Sequence, residues 1–240
     1  MNWDEPDVRP SWYHNMSSVL QAGPCVRTNQ LDFDEEVVFK AQQYLFDHIR
    51  EDGDQPFCLT VSMTHPHDPY TIPKAFWDLY DDNDIPLPQT PAQKALDPHS
   101  QRLLKVYDLW DKPLPVDKIR DARRAYFGAC SYIDCNVGKL LQTLEDTGLL
   151  DDTIIVFSGD HGDMLGEKGL WYKNALVRNG CPRTVADQCA GAVRQRPGER
   201  GRVHRRFAAN LGGAGRRHAG TGLAAGWPFA GAASARAGRA

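Results

Sequence analysis

The run TIIVFSGDHGDMLGEKGLWYK, from Thr153 to Lys173, constrains this chain more than any other stretch. Its first five residues are β-branched or apolar, which suits a strand covered by other elements. Ser158-Gly159-Asp160-His161-Gly162 then ends the strand in a polar loop. A carboxylate and an imidazole side by side can face one ligand only from irregular backbone, which the flanking Gly159 and Gly162 permit. A chain with this run must open the end of a buried strand onto a charged loop. That is an α/β arrangement, in which ligands gather beyond the carboxyl ends of strands.

The sequence before it fits the same architecture. Residues 1–30 have weak periodicity. A helix is predicted over Asp32–Ile49, with Val37, Val38, Ala41, Tyr44, Leu45, Phe46 and Ile49 at helical spacing. Asp32, Asp34, Glu35 and Glu36 place negative charge at its start, where the helix dipole favours it. After Pro56, Phe57–Met63 (FCLTVSM) reads as a strand covered on both faces. It runs into Thr64-His65-Pro66-His67-Asp68-Pro69-Tyr70, a loop stiffened by alternating prolines. Residues 71–114 read as a long surface excursion. A second helix is predicted over Lys118–Thr147, with its core face at Tyr126, Ala129, Ile133, Val137, Leu140, Leu141 and Leu144 and a stop at Gly148. Both histidine-bearing loops thus follow predicted strands.

Charge divides the chain. Residues 1–174 carry 16 Lys and Arg against 29 Asp and Glu, whereas residues 175–240 carry 12 Arg, no Lys and two acids. The first part reads as an acidic soluble domain. The second is a Gly/Ala/Arg-rich tail with few aliphatic anchors, expected to be disordered or out of frame. The alternative for the tail is a basic nucleic-acid-binding segment, although it lacks interleaved aromatic residues and lysine. The six cysteines show no C-x-x-C spacing and read as buried or incidental thiols. No signal peptide follows Met1 and no apolar run is long enough to span a membrane, so a cytoplasmic setting is expected.

The chemistry-bearing residues fall into two groups. Asp160 and His161 are candidate metal ligands, the carboxylate being a hard donor for Ca²⁺, Mg²⁺ or Mn²⁺. The alternative is a solvated turn closing the strand. Lys173 is a point charge suited to a tetrahedral anion. His65 and His67 are candidates to donate to an anionic oxygen or to protonate a leaving alcohol, with Asp68 placed to orient one of them. The alternative is a pair of loop histidines satisfied by Asp68 or water. Asp163 and Glu167 read as supporting, capping or surface charges, and His14, His48 and His99 as structural or surface residues.

THPHDPY (64–70), DPHS (97–100), IRDARRAYFGACSYID (119–134) and the run from Gly138 to Lys173 resemble the type I sulfatases of the alkaline phosphatase superfamily, most of all those of the choline-sulfatase type. The resemblance covers roughly residues 30–174. It implies a mixed sheet flanked by helices, present here as a partial alkaline-phosphatase-like domain. It implies sulfuric ester hydrolysis of a small-molecule sulfate ester, choline-O-sulfate above others, with phosphonate or phosphate monoester hydrolysis as the alternative. By the same resemblance, Asp160 is a metal ligand and His161 occupies the neighbouring metal-site position. His67 contacts the sulfate or leaving group, His65 is its neighbour, and Lys173 contacts the sulfate. The cation is expected to be Ca²⁺, and the family nucleophile is a formylglycine made within a C/S-x-P-x-R motif. That motif is absent from these 240 residues. The chain is therefore expected to start inside the family sequence, to leave it near Asn174, and to be inactive and aggregation-prone alone, a non-enzymatic remnant being a further alternative. Its oligomeric state is not legible.

Overall fold

Apolar side chains at three- and four-residue spacing build the two long helices around which everything else is arranged. The computed structural model describes residues 16–52, 55–89, 98–106, 113–173 and 191–193. In chain order these form α1 (Ser17–Leu20), β1 (Gly23–Cys25), α2 (Asn29–Asp52), β2 (Thr71–Pro73), α3 (Lys74–Trp77), α4 (Pro98–Val106), α5 (Val116–Asp146), β3 (Ile155–Phe157) and β4 (Gly191–Val193). Short 3₁₀ turns occupy Leu150–Asp152 and Glu167–Gly169.

α2 buries Leu31, Asp34, Val38, Ala41 and Leu45, a stripe with steps of three and four. This corrects the predicted face, because Tyr44, Phe46 and Ile49 are exposed. Tyr44 and Phe46 lie on the flanks of the helix, which apolar content alone does not distinguish from the core side, and Ile49 continues the buried stripe past the part of the helix that is covered. α5 follows the prediction more closely. Tyr126, Ala129, Ile133, Leu141 and Leu144 are buried, and Val137 and Leu140 are half-buried. It ends at Gly148, whose φ of +75° suits a residue without Cβ. Gly148 N donates to Glu145 O and Leu149 N to Leu144 O, the paired bonds of a Schellman ending.

α5 packs against β1, β2, α1, α2 and α3. Its Gly128 lets the β2–α3 junction approach closely, since a Cβ there would lie 3.1 Å from both Ile72 Cγ2 and Phe76 O. The central cluster joins Val19, Leu31, Tyr70, Ile72, the α5 residues from Ala122 to Ile133, and Leu170–Tyr172.

Among the described residues the strands form two ladders. β1 pairs in parallel with β2, Gly23 opposite Thr71 and Cys25 opposite Pro73. β3 pairs antiparallel with β4, Ile155 opposite Val193 and Phe157 opposite Gly191. Helices with parallel and antiparallel strands make the class α/β, as expected. Three expectations are corrected. The excursion over 71–114 instead sends β2 into the core, where Ile72 is fully buried, and adds α3 and α4. The tail contributes β4, a strand where none was read. The predicted strand Phe57–Met63 is in no ladder, although Phe57, Leu59, Val61 and Met63 are half-buried and the residues between them exposed. That alternation has the period of a strand. A strand becomes sheet only beside another, and no described strand lies against it. β3 is likewise open on one side, with Ile154 66% and Val156 68% exposed.

A cavity of ≈ 1240 Å³ is lined by Phe57 and residues 59–69, by Thr153–Asp163, and by the α5 side chains Tyr126, Cys130, Ile133, Val137, Leu140, Leu141 and Leu144. Both histidine-bearing loops open into it.

Candidate active site

Each of the two loops is fixed by one long helix. α2 holds the first. Asp34 Oδ1 accepts from Thr64 N at 2.7 Å and Thr64 Oγ1 at 2.8 Å, while Oδ2 accepts from His65 N at 3.0 Å and His65 Nδ1 at 2.6 Å. One turn earlier, Gln30 Nε2 donates to His67 O at 3.0 Å. Burial pushes the Asp34 carboxyl up, but these hydrogen bonds from Thr64 and His65 outweigh it and hold the group below its ordinary value.

α5 holds the second. The buried Arg123 donates from Nη1 to Leu165 O at 2.6 Å. The loop closes on itself through Met164 N to Tyr172 O at 2.9 Å and Gly166 N to Leu170 O at 2.8 Å. Its left-handed turns fall at Leu165, Gly166, Lys168, Gly169 and Tyr172, whereas Gly159 and Gly162, expected to supply the irregular backbone, are not among the positive-φ glycines. Three of these are not glycine, and the bulkiest is Tyr172, φ +64°. Packing compensates there. Tyr172 is buried and stacks at 6° on Tyr70, with ring centroids 6.0 Å apart.

Tyr70 also ties the loops together. Its hydroxyl donates to Asp163 Oδ2 at 2.7 Å, and Asp163 Oδ1 accepts from Leu165 N at 2.8 Å. Burial, then the Asp163 charge, pushes the Tyr70 hydroxyl far up, so it stays a donor. Burial also raises the Asp163 carboxyl, against the hydrogen bond from Tyr70.

The result is a meeting of His67 and Lys173, with Nε2 and Nζ 2.9 Å apart. His67 Nδ1 lies 2.8 Å from Asp68 O and 3.0 Å from Asp68 Oδ1, so that nitrogen carries a proton. The Asp68 carboxylate holds the imidazole above its ordinary value, while burial and the Lys173 ammonium oppose it without prevailing. Asp68 thus orients His67, as the sequence indicated.

Asp160 and His161 line the same cavity. Asp160 Oδ1 accepts from His161 N at 2.9 Å. His161 Nδ1 is 3.0 Å from Gly162 O, so Nδ1 donates, and Nε2 lies 3.3 Å from Asp160 Oδ2. With Nδ1 committed, a neutral His161 turns the lone pair of Nε2 toward a carboxylate oxygen. Two such donors at that separation fit neighbouring positions around one cation. They are two ligands, short of the six to eight oxygen-rich contacts Ca²⁺ takes. Among the described residues no group of three His, Cys, Asp or Glu converges on a metal position.

His67, Lys173, Asp160 and His161 therefore share one cavity. His65 lines it too, but its side chain is 1% exposed and Nε2 is buried without a hydrogen-bond partner. His48 is half-buried against Tyr44 and Phe57, consistent with a structural role. His14 and the side chain of His99 lie outside the described residues. Asp34 and the Tyr70–Asp163 tie were not assigned from sequence. Their partners are 30 and 93 residues away, and no local spacing signals them.

A family model described as Sulfatase matches residues 3–202, wider on both sides than the motifs that carried the resemblance. The chain is 49% identical over 167 residues to a choline-sulfatase of Rhizobium meliloti, covering 68% of this chain and 33% of that protein. It is 31% identical over 134 residues to an arylsulfatase of Clostridium perfringens, covering 56% and 27%. Among solved structures, a phosphonate monoester hydrolase from Silicibacter pomeroyi aligns with a TM-score of 0.45 at 25% identity, over 59% of this chain and 30% of that one. The chain spans a third or less of the length of these curated relatives.

Proposed function

The chain belongs to the sulfatase family, and from that premise we propose that its cavity serves the hydrolysis of a sulfuric ester, with choline-O-sulfate as the substrate. The observation that carries the reading is the pairing of Lys173 Nζ with His67 Nε2 on the wall that also holds Asp160 and His161. The choice of ester rests on the 49% identity to a choline-sulfatase.

At rest His67 Nε2 accepts from the Lys173 ammonium, and once Nε2 is protonated the two groups become adjacent cations, a poor arrangement alone and a good one for an anion. Once a sulfate ester lies against them, its oxygens accept from the Lys173 ammonium and from a protonated His67 Nε2, and the repulsion between the two groups is offset. Asp68 keeps the imidazole basic enough to carry that second proton. His67 is then placed to donate the Nε2 proton to the departing alcohol oxygen. Lys173 stays charged and balances the negative charge left on the sulfuryl oxygens.

A divalent cation bound here would supply charge neutralisation, and attack at sulfur would need the family's formylglycine, whose C/S-x-P-x-R motif does not occur among these 240 residues. Asp160 Oδ2 and His161 Nε2 are this chain's donors toward the cation, for which we propose Ca²⁺. The setting we propose is the cytoplasm. None of Cys25, Cys58, Cys130 and Cys135 is in a disulfide, which suits a reducing compartment. Among the described residues no helix is long and apolar enough to cross a membrane.

The test is calorimetric titration of the chain with choline-O-sulfate in the presence of Ca²⁺, alongside its K173A and H67A variants. Saturable binding that both variants lose is expected. Binding that neither variant changes would remove the reading. Tighter binding of a phosphonate monoester than of the sulfate ester would favour the alternative, phosphonate or phosphate monoester hydrolysis.

A further inference from the structure

Four acidic residues crowd the start of α2, and one of them differs from the rest. Asp32, Glu35 and Glu36 are exposed, whereas Asp34 is fully buried. A buried carboxylate is costly unless hydrogen bonds replace its water. Asp34 accepts four, all from the consecutive residues Thr64 and His65. Gln30 is four residues away on the same helix, hence on the same face, and grips the carbonyl of His67. α2 therefore holds the loop at its base and again at the residue that meets Lys173.

His65 completes the grip. A carboxylate only accepts, so Nδ1 carries the proton donated to Asp34. The ring packs edge-on against Tyr132, with centroids 4.9 Å apart. Its Nε2 is buried away from solvent. In this geometry His65 faces the helices and His67 faces the open cavity.

We propose that Asp34 is a positioning residue of the site. Acting through Thr64 and His65, it fixes the loop Thr64–Tyr70 so that His67 meets Lys173, and His65 works with it without touching the substrate. The inference rests on the reading of His67 and Lys173 as the sulfate-holding pair. Asparagine is a poor replacement for Asp34. Whichever way the amide turned, its NH₂ would face either the backbone N–H of Thr64, whose hydroxyl alone could turn to accept, or the two donors of His65.

The test uses the full chain with D34N, H65N, H65A and T64V, and two measurements. One is choline-O-sulfate affinity by calorimetry. The other is the imidazole ¹H–¹⁵N signal of His67 without ligand. D34N is expected to weaken binding about tenfold or more, the scale of losing hydrogen bonds to a buried charge, and to shift the His67 signal while the helical circular dichroism persists. H65N keeps an amide donor where Nδ1 was and is expected to stay within about threefold of the parent, whereas H65A loses about tenfold. Parent-like binding and an unmoved His67 signal in D34N would overturn the proposal. So would an H65N variant that binds as poorly as H65A with the His67 signal unmoved, because Nε2 would then contact the ligand directly. If D34N does not fold, T64V removes one of the four bonds and should shift the same readouts less. No shift in T64V would overturn the proposal. If the parent itself binds no choline-O-sulfate, the sulfate reading fails, and the ligand-free His67 signal still decides whether Asp34 positions the loop.

Discussion

Lys173 Nζ lies 2.9 Å from His67 Nε2, although the two residues are 106 apart in sequence. Neither helix supplies either group. α2 sets the loop that carries His67, and α5 sets the loop that carries Lys173. The distance is therefore a readout of how well the two loops are held. K173A is expected to weaken choline-O-sulfate binding about tenfold, the scale of one charge-assisted hydrogen bond, and to leave thermal stability close to the parent because Lys173 is exposed. Calorimetry and a melting curve on the same samples check both halves. A large fall in melting temperature would mean that Lys173 holds the loop instead of serving it.

The pH dependence follows from His67. Asp68 raises its pKa above the ordinary value of 6.5, against burial and Lys173. A raised histidine pKa means that the protonated form is favoured by the fold. Its contribution to stability is complete below the unfolded value and is lost as pH rises through the folded value. Sulfate binding needs the same proton and should fall over the same window, above 6.5. D68N removes the carboxylate charge and weakens the side-chain hydrogen bond that is the largest cause of the shift, so the falling limb should move to lower pH. An imidazole titration of His67 by NMR, in the parent and in D68N, checks the direction. An unchanged titration in D68N would assign the proton's stabilisation to another group.

How much of this was legible depends on where the partners lie. The helices and the end of α5 were readable because their signals are local: apolar spacing over a few turns, and one glycine at the position that needs positive φ. His67, Asp68 and Lys173 stood out because they sit in the two short motifs, THPHDPY and GDHGDMLGEKGLWYK, that carry the family resemblance. Asp34 could not be separated from Asp32, Glu35 and Glu36, since all four look alike as helix-start charges and only one turns inward. Tyr44, Phe46 and Ile49 were counted as core for a related reason, as α2 is apolar around more of its circumference, and further along its length, than the structure covers. Phe57–Met63 was read as a strand covered on both faces, whereas its exposure alternates with a period of two, and pairing depends on a neighbour that the sequence of the segment does not contain.

The Tyr70–Asp163 bond joins the loops beneath the site, with Tyr70 buried and Asp163 half-buried. Y70F deletes the hydroxyl and leaves Asp163 Oδ2 without this donor. The ring stacking on Tyr172 is retained. A loss of about 1–3 kcal/mol is expected, the penalty for a buried polar group that loses its partner. Chemical denaturation should show a lower midpoint with an unchanged slope. The His67–Lys173 distance should also loosen, so binding weakens together with stability. That coupling separates Y70F from K173A, in which binding falls alone.

Gly128 offers the sharpest test of packing remote from the ligand. A Cβ at this position would stand 3.1 Å from Ile72 Cγ2 and 3.1 Å from Phe76 O, tighter than ordinary van der Waals contact. One neighbour is a side-chain methyl of a fully buried residue and the other is backbone, so neither yields freely. G128A gains about 1 kcal/mol of helix propensity from replacing glycine inside α5. The forced separation of α5 from the β2–α3 junction costs about 1–3 kcal/mol in an already packed core. The second effect is expected to win, giving net destabilisation in a urea titration. Because β2 continues directly from the loop that ends at Tyr70, the displacement should also reach the stacked pair Tyr70–Tyr172 and weaken choline-O-sulfate binding modestly. A G128A chain as stable as the parent would mean that the junction relaxes by a few tenths of an ångström, and binding should then be unchanged as well.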